Sequence, residues 1–235
     1  MLGRRSVEKE IMDVEAARYE ETKAAYQFME KVNRFLGGRR VVLHHLSQFL
    51  KLHPGEKGLS LLDLGTGGGD IPRNIFSWAK RKELPLKIVG FDFEAQALRY
   101  SKEDGLPSGV YWVQGDLTRP LPFKDQSFDF CLASMVFHHL SEEEAVRALK
   151  EMDRVSRRGI IVNDLLRRVR AYLWIYFLSR LSGSRLVKND APLSVLRGFK
   201  KREVERIKGE ASLDYLQFHY HFGHRFSLAG VKNGF

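Results

Sequence analysis

The sequence predicts an α/β fold: a doubly wound, mostly parallel sheet of seven strands, capped by helices. Three observations predict it. Short apolar runs alternate with amphipathic stretches along most of the chain, the pattern of successive strand–helix units. A glycine-rich turn, Gly65-Thr66-Gly67-Gly68-Gly69, joins the apolar run Leu61-Leu62-Asp63-Leu64 to a helix start at Asp70-Ile71-Pro72. Three successive runs carry an acid at their C-terminal ends, Asp63, Asp92 and Asp116. Open parallel sheets bind their ligands at that edge.

The elements follow in order. Residues 8–36 and 39–51 are predicted helices. Val14, Ala17, Tyr26, Met29, Val32, Phe35 and Leu36 are spaced for amphipathic faces, and Gly37-Gly38 separates the two. Strand 58–64 leads through the glycine turn to helix 71–82, then strand 86–91, helix 95–103 and strand 109–114. Strand 128–133 is followed by helix 141–154, where Ser141 is the N-cap and Glu144 completes a capping box. Strand 159–163, helix 165–181, a loop over 182–199 and helix 201–208 come next. Residues 213–219 and 224–231 read as a closing antiparallel hairpin. We expect residues 1–55 to form a helical cap segment. Residues 56–235 then form a cofactor-binding domain, with 164–199 as a second cap segment inserted over the same sheet edge.

A strand, a glycine turn and a helix N-terminus bring backbone N–H groups up to a bound cofactor, because no side chain intervenes. The spacing separates two cofactors. The dinucleotide fingerprint, read from Gly65, needs Gly or Ala at position 70, where this chain has Asp70. The pattern Asp-x-Gly-x-Gly-x-Gly of Asp63, Gly65, Gly67 and Gly69 instead resembles the first motif of class I S-adenosylmethionine (SAM) methyltransferases.

The resemblance runs closely from Asp63 to Leu140. It points to the group that methylates small molecules, including the quinone-biosynthesis enzymes. Gly69–Arg73, Arg34–Gly38 and Asp190–Ser194 look most like bacterial enzymes acting on polyketide or phenolic lipid products. The resemblance implies a Rossmann-like fold and SAM as cofactor, with S-adenosylhomocysteine (SAH) as product. Gly65, Gly67 and Gly69 would approach the methionine part, Asp92 the ribose and Asp116 the adenine. An ionised acid is acceptor-only, which suits Asp116 to an exocyclic amine. Asp63 would order the loop, and Thr66, Phe93, Leu117 and Ser134 complete the cofactor set.

Methyl transfer from a sulfonium is an in-line displacement in a dry cleft, and an oxygen nucleophile often needs its proton removed. His138 and His139 follow the fourth strand, at the edge nearest the reactive centre. His139 is the expected base, with His138 and Asp164, at the end of the fifth strand, as the other candidates. Asn163 beside it is placed to bond a substrate or the loop. No metal is expected: catechol-type relatives carry a magnesium-binding acid where this chain has Ala133 and Ser134. His219, His221 and His224 read as alternation along an exposed strand face.

The single cysteine, Cys131, excludes an internal disulfide and reads as a small buried residue of the fourth strand. No leader is expected, since acidic helical sequence begins within the first residues. The longest apolar stretch, Ala171–Leu178, is far short of the ~20 residues that span a bilayer. A soluble, cytoplasmic enzyme is therefore expected. Of the net charge of +10, residues 151–235 carry +9, from 17 basic against 8 acidic residues. Arg167, Arg168 and Arg170 precede the aromatic stretch Tyr172-Leu173-Trp174-Ile175-Tyr176-Phe177. A basic, apolar helix of this kind suits peripheral membrane contact or a small lipophilic or aromatic acceptor. Two rival functions share the cofactor half: an RNA methyltransferase using the basic last third, and a non-catalytic SAM-binding partner protein. Against the first, Ser134-Met135-Val136-Phe137 stands where amine-methylating relatives have N/D-P-P-Y, and no RNA-binding module is visible.

Overall fold

Seven strands form one sheet in the order β3-β2-β1-β4-β5-β7-β6, in a computed structural model that describes residues 3–14, 18–52, 58–103 and 109–232. The strands are β1 (Leu59–Leu64), β2 (Leu86–Asp92), β3 (Val110–Gln114), β4 (Phe128–Ser134), β5 (Ser156–Leu165), β6 (Gln217–His221) and β7 (Arg225–Val231). β1 through β5 pair in parallel, and β7 pairs antiparallel with both β5 and β6. The expected mostly parallel, doubly wound sheet with a closing hairpin is the one observed.

Alternation along the strands builds two apolar layers. Leu59 and Leu61 of β1 and Phe130 and Leu132 of β4 face one side. There they pack on α3 (Gly38–Leu52) through Val42 and Leu46, and on α4 (Asp70–Lys80) through Ile71 and Ile75. Leu62, Leu64, Cys131 and Ala133 face the other side. They meet α6 (Glu142–Val155) through Leu149 and Met152, and α9 (Lys201–Ala211) through Val204 and Ile207. Cys131 is buried, as expected of a small core residue. α3, assigned to the cap from sequence, is thus a layer of the core.

Three readings are corrected. The predicted helix over 8–36 is observed as a single turn, α1 (Ile11–Val14), and a long helix, α2 (Tyr19–Phe35); Ala17 lies outside the described residues. The predicted loop over 182–199 contains a helix, α8 (Arg185–Arg197), despite Pro192 in its interior. Ser184 caps it by accepting from Val187 N, and burial of Leu186, Val187, Leu193 and Val195 overrides the proline. β6 starts at Gln217, because Leu213–Leu216 forms a turn. Helix α5 (Ala95–Glu103), the capping box of Ser141 and Glu144, and α7 (Val169–Arg180) fall where the sequence places them, α7 starting four residues late. α7 and α8 pack together beside α1 and α2, over the C-terminal edge of the parallel strands. Among the described residues no helix is long and apolar enough to cross a membrane.

Candidate active site

Gly65, Gly67 and Gly69 all adopt positive φ, +65°, +51° and +76°. Glycine enters that region without steric penalty. A Cβ on Gly65 would also lie 2.4 Å from Val136, and one on Gly69 2.7 Å from the Trp112 ring. The turn is tied at both ends. Gly65 N and Thr66 N donate to Phe91 O at 2.8 and 3.2 Å, and Thr66 Oγ1 donates to the buried Asp63 carboxylate at 2.7 Å. Asp92 Oδ2 accepts from Gly67 N at 2.7 Å, and its Oδ1 from Glu94 N at 2.9 Å. Burial pushes the carboxyls of Asp63 and Asp92 up.

The other predicted cofactor residues line the same edge. Phe93 is exposed at the tip of β2, and Leu117 is half-buried. Asp116 Oδ1 accepts from Thr118 N and Oγ1, which lowers its pKa, and Oδ2 lies 3.5 Å from Arg119. Asp70, which rules out the dinucleotide fingerprint, accepts from Asn33 Nδ2 and Arg39 Nε at 3.3 and 3.4 Å. That bond ties the start of α4 to the helices that precede the sheet.

Beyond β4 the chain turns through Met135, at φ +61°, into a 3-10 turn at Phe137–His139. His138 and His139 then take different environments. His138 Nδ1 lies 2.7 Å from Asp164 Oδ1, and Asp164 also accepts from the backbone N–H groups of His138 and Leu165. Burial alone would raise the Asp164 carboxyl. The His138 ring and these N–H groups outweigh it, so its pKa falls below the usual carboxylate value. An ionised carboxylate only accepts, so Nδ1 carries the proton and Nε2 faces Glu10. His139 Nδ1 lies 3.1 Å from Asp13 Oδ2. Burial would lower its pKa, but Glu10 and Asp13 raise it to about 9, which keeps it charged at neutral pH.

Residues 5–13 form a strap across these histidines. Glu10 is buried, with Oε1 3.7 Å from His138 Nε2 and Oε2 3.9 Å from His139 Nε2, and Ser194 Oγ donates to it at 2.7 Å. Ile11 N and Met12 N donate to the Asp190 carboxylate of α8 at 2.8 and 3.1 Å. Arg197 binds the carbonyls of Glu8, His138 and His139, and Arg5 those of His138, Leu140 and Arg197. Glu10, His138 and His139 could share a cation, each offering an atom within 4.8 Å of the others. The two guanidiniums on the same turn already supply positive charge beside it. Tyr26 of α2 roofs the glycine turn, stacked on Tyr100 with ring centroids 5.4 Å apart. A hollow of about 480 Å³ beside Gly58, Pro85 and Asp129 lies at the opposite end of the strands, away from this edge.

Two buried side chains on β5 and β7 each keep unpaired polar atoms among the described residues. Arg225 is fully buried at the start of β7. Its Nη2 donates to Asn33 Oδ1 at 3.0 Å, while Nε and Nη1 are unpaired. Burial lowers its pKa to about 10 against the pull of Asp164 and Asp70. Asn163 Nδ2 donates to Ser134 Oγ at 2.8 Å, and its Oδ1 is unpaired. Asn163 sits opposite Ser227 and Leu165 opposite Arg225, so Asn163 and Arg225 are diagonal neighbours on one sheet face.

Sequence comparison matches a model described as a methyltransferase domain to residues 62–162, a span that begins in β1 and ends in β5. That stretch carries the glycine turn, Asp92 and both histidines. Residues 62–162 of the chain are a methyltransferase domain. The ubiquinone/menaquinone biosynthesis C-methyltransferase UbiE of Bdellovibrio bacteriovorus is 33% identical over 123 residues, 50% of this chain and 48% of that protein. The chain spans about half the length of the curated relatives it matches. Among solved structures, the plantazolicin methyltransferase BamL aligns with a TM-score of 0.67 at 13% identity, over 92% of this chain and 91% of that one. Human N-acetylserotonin methyltransferase aligns at 0.63 and 16% identity, over 92% of this chain and 57% of that one. At these identities the two structures share the fold.

Sequence reasoning found the methyltransferase domain's glycine turn and its acids, but not Glu10, Asp13, Tyr26 or Arg225. The first three lie outside the matched span and reach the site only through tertiary packing. Arg225 carried a signal: a lone charge opening the otherwise apolar strand Phe226-Ser227-Leu228-Ala229.

Proposed function

We propose that the protein transfers a methyl group from SAM to an oxygen of a small apolar or aromatic acceptor, such as a phenol, quinol or polyketide. The single observation that carries this reading is the buried His138–Asp164 pair beside the glycine turn. SAM, when bound, supplies an electrophilic methyl on a sulfonium. Gly65, Gly67 and Gly69 leave room for its methionine part, with Thr66 and Ser134 beside them. Asp92 and Phe93 would flank the ribose, and Asp116 and Leu117 the adenine. Arg225 and Asn163 extend this set. A buried cationic donor beside an unpaired amide acceptor matches the carboxylate and ammonium of an amino-acid end, and their unpaired atoms would cost free energy without such a ligand.

Of the two histidines, His138 is the proposed base. Asp164 fixes its tautomer with Nε2 toward the space that Glu10 fills, so an acceptor hydroxyl reaching Nε2 could give up its proton there. His139, charged between Glu10 and Asp13, latches the strap. Removing a proton is what a hydroxyl acceptor requires, which favours O-methylation. Tyr172 and Ile175, packed beside Met135 and Val195, give the cap an apolar wall toward this centre and favour a lipophilic acceptor. Of the relatives, UbiE is named for quinone biosynthesis and methylation at carbon, and malonyl-[acyl-carrier protein] O-methyltransferase for methylation at oxygen. The single buried cysteine is in keeping with a reducing cytoplasm.

The test incubates the purified protein with methyl-labelled SAM and a bacterial extract, then separates organic-extractable, RNA and protein fractions. Label in the organic phase is expected. Label confined to RNA would overturn the choice of acceptor, and no transfer with intact SAH binding would favour a non-catalytic partner protein.

A further inference from the structure

The face of α7 turned away from the core has the makeup of a bilayer-docking surface. Val169, Leu173, Trp174, Phe177, Leu178 and Leu181 recur at i, i+4, i+5, i+8, i+9 and i+12, which places them on one half of the helix. All six are exposed, Trp174 by 74% and Leu181 by 85%. The opposite half is occupied: Ala171 and Ser179 are buried, and Tyr172 and Ile175 pack on Leu165 and Val195. The stripe is therefore not a core face left over from packing, because the helix already has a core face.

Charge around the stripe selects its partner. Between Asp164 and Asp190 the chain has no acid and six basic residues. Arg168 and Arg170 are exposed at one end of the stripe, Arg180 and Arg185 at the other. Arg168 and Arg180 are held at the rim over the rings of Tyr220 and Tyr176, 5.0 and 4.6 Å from their centroids. An apolar stripe with an indole at its centre and guanidiniums at both ends matches acyl chains bordered by anionic headgroups. A nucleic-acid backbone would need the cations without the apolar centre. At 12 residues, ~18 Å long, α7 lies in the interface and cannot span it.

We propose that α7 docks the protein onto an anionic lipid bilayer through this stripe. If the acceptor is lipophilic, as the proposed function has it, the docked helix would carry bilayer on one face and the wall of the active-site cap on the other. Docking itself does not depend on that reading.

The test is co-sedimentation of the full chain with vesicles of phosphatidylcholine alone, or with about 30 mol % phosphatidylglycerol, at roughly 0.1 M salt. Tryptophan fluorescence is followed in parallel, where Trp174 is the exposed one of the three indoles and W174E/F177E gives the contribution of Trp78 and Trp112. We expect partitioning at least about tenfold stronger on the anionic vesicles, weakened by added salt, with a blue shift on binding. W174E/F177E should lose at least about tenfold while keeping its melting temperature and its SAH affinity. Absence of binding to either vesicle overturns the proposal, as does binding that W174E/F177E leaves intact. Self-association that the double variant abolishes, without vesicle binding, would reassign the stripe to a second copy. Vesicle binding without methyl transfer would leave docking standing and sink only the proposed function.

Discussion

His138 Nδ1 and Asp164 Oδ1 stand 2.7 Å apart, both buried, at the ends of a turn and a strand brought together by the β4–β5 pairing. The carboxylate is ionised and fully engaged, so the imidazole is held in one tautomer. Asp164 is then a positioning residue for the proposed base. D164N should lower kcat by about 10²–10⁴-fold, because an amide can face Nδ1 with its own N–H and favour the wrong tautomer. SAH affinity should stay within about twofold. Single-turnover rates across pH, beside SAH titration, check this; a D164N enzyme with unchanged rate and pH profile would remove His138 as base.

Arg225 makes a prediction that needs no acceptor. R225M should weaken SAH binding by about 10–100-fold, the scale of a hydrogen bond to a charged group. It should leave 5′-methylthioadenosine, which lacks the amino-acid end, unaffected. Calorimetric titration of both ligands separates ligand contact from structural damage. Equal loss for both would mean that Arg225 only supports the fold, and a melting curve would report that damage directly.

A different histidine group should make stability acid-sensitive. Ser227 Oγ lies 2.7 Å from His45 Nε2 and 2.7 Å from His221 Nε2, so one hydroxyl bridges two imidazoles. Burial and the neighbouring His219, His221 and His44 lower the pKa of His45 to about 3, and burial with His219 and His44 lowers that of His221. The folded state binds these protons less readily than the unfolded chain, so stability should fall as pH drops below about 6.5 toward about 3. H45Q should flatten that decline in urea-unfolding free energies between pH 7 and 4. An unchanged slope would locate the acid sensitivity elsewhere. Two of these, His219 and His221, are read from the sequence together with His224 as alternation along an exposed strand face; instead His221 and His224 are half-buried, and of the three His219 alone is exposed.

What the sequence made legible was local. Asp63, the three glycines and Asp92 announce their places in the fold because a tight turn and a strand end are fixed by a few neighbouring residues. The capping box of Ser141 and Glu144 is equally local. Residues 182–199 read as a loop, and the burial of Leu186, Val187, Leu193 and Val195, decided by tertiary packing, makes α8 a helix despite Pro192. The strap is the limiting case: Asp13 and His139 meet across 126 residues, and nothing near either one signals the other.

That contact makes the last prediction. His139 is raised to about 9, above the about 6.5 of an unfolded histidine. Its ion pairs with Asp13 and Glu10 thus stabilise the closed strap fully below about pH 6.5, and the contribution is lost as pH rises through about 9. Glu10 fills the space in front of His138 Nε2, so the strap must open for an acceptor to reach the base. A spin label on E8C reports this motion selectively, since the protein's other cysteine, Cys131, is buried. The mobile fraction of its spectrum should grow between pH 6.5 and 9, following the charge on His139. H139Q should show the mobile spectrum at every pH, and D190N, which weakens the anchor of Ile11 and Met12, should raise the mobile fraction without moving the midpoint. A label whose mobility ignores both pH and H139Q would mean that the strap is held by Asp190 and Arg197 alone, with His139 a bystander.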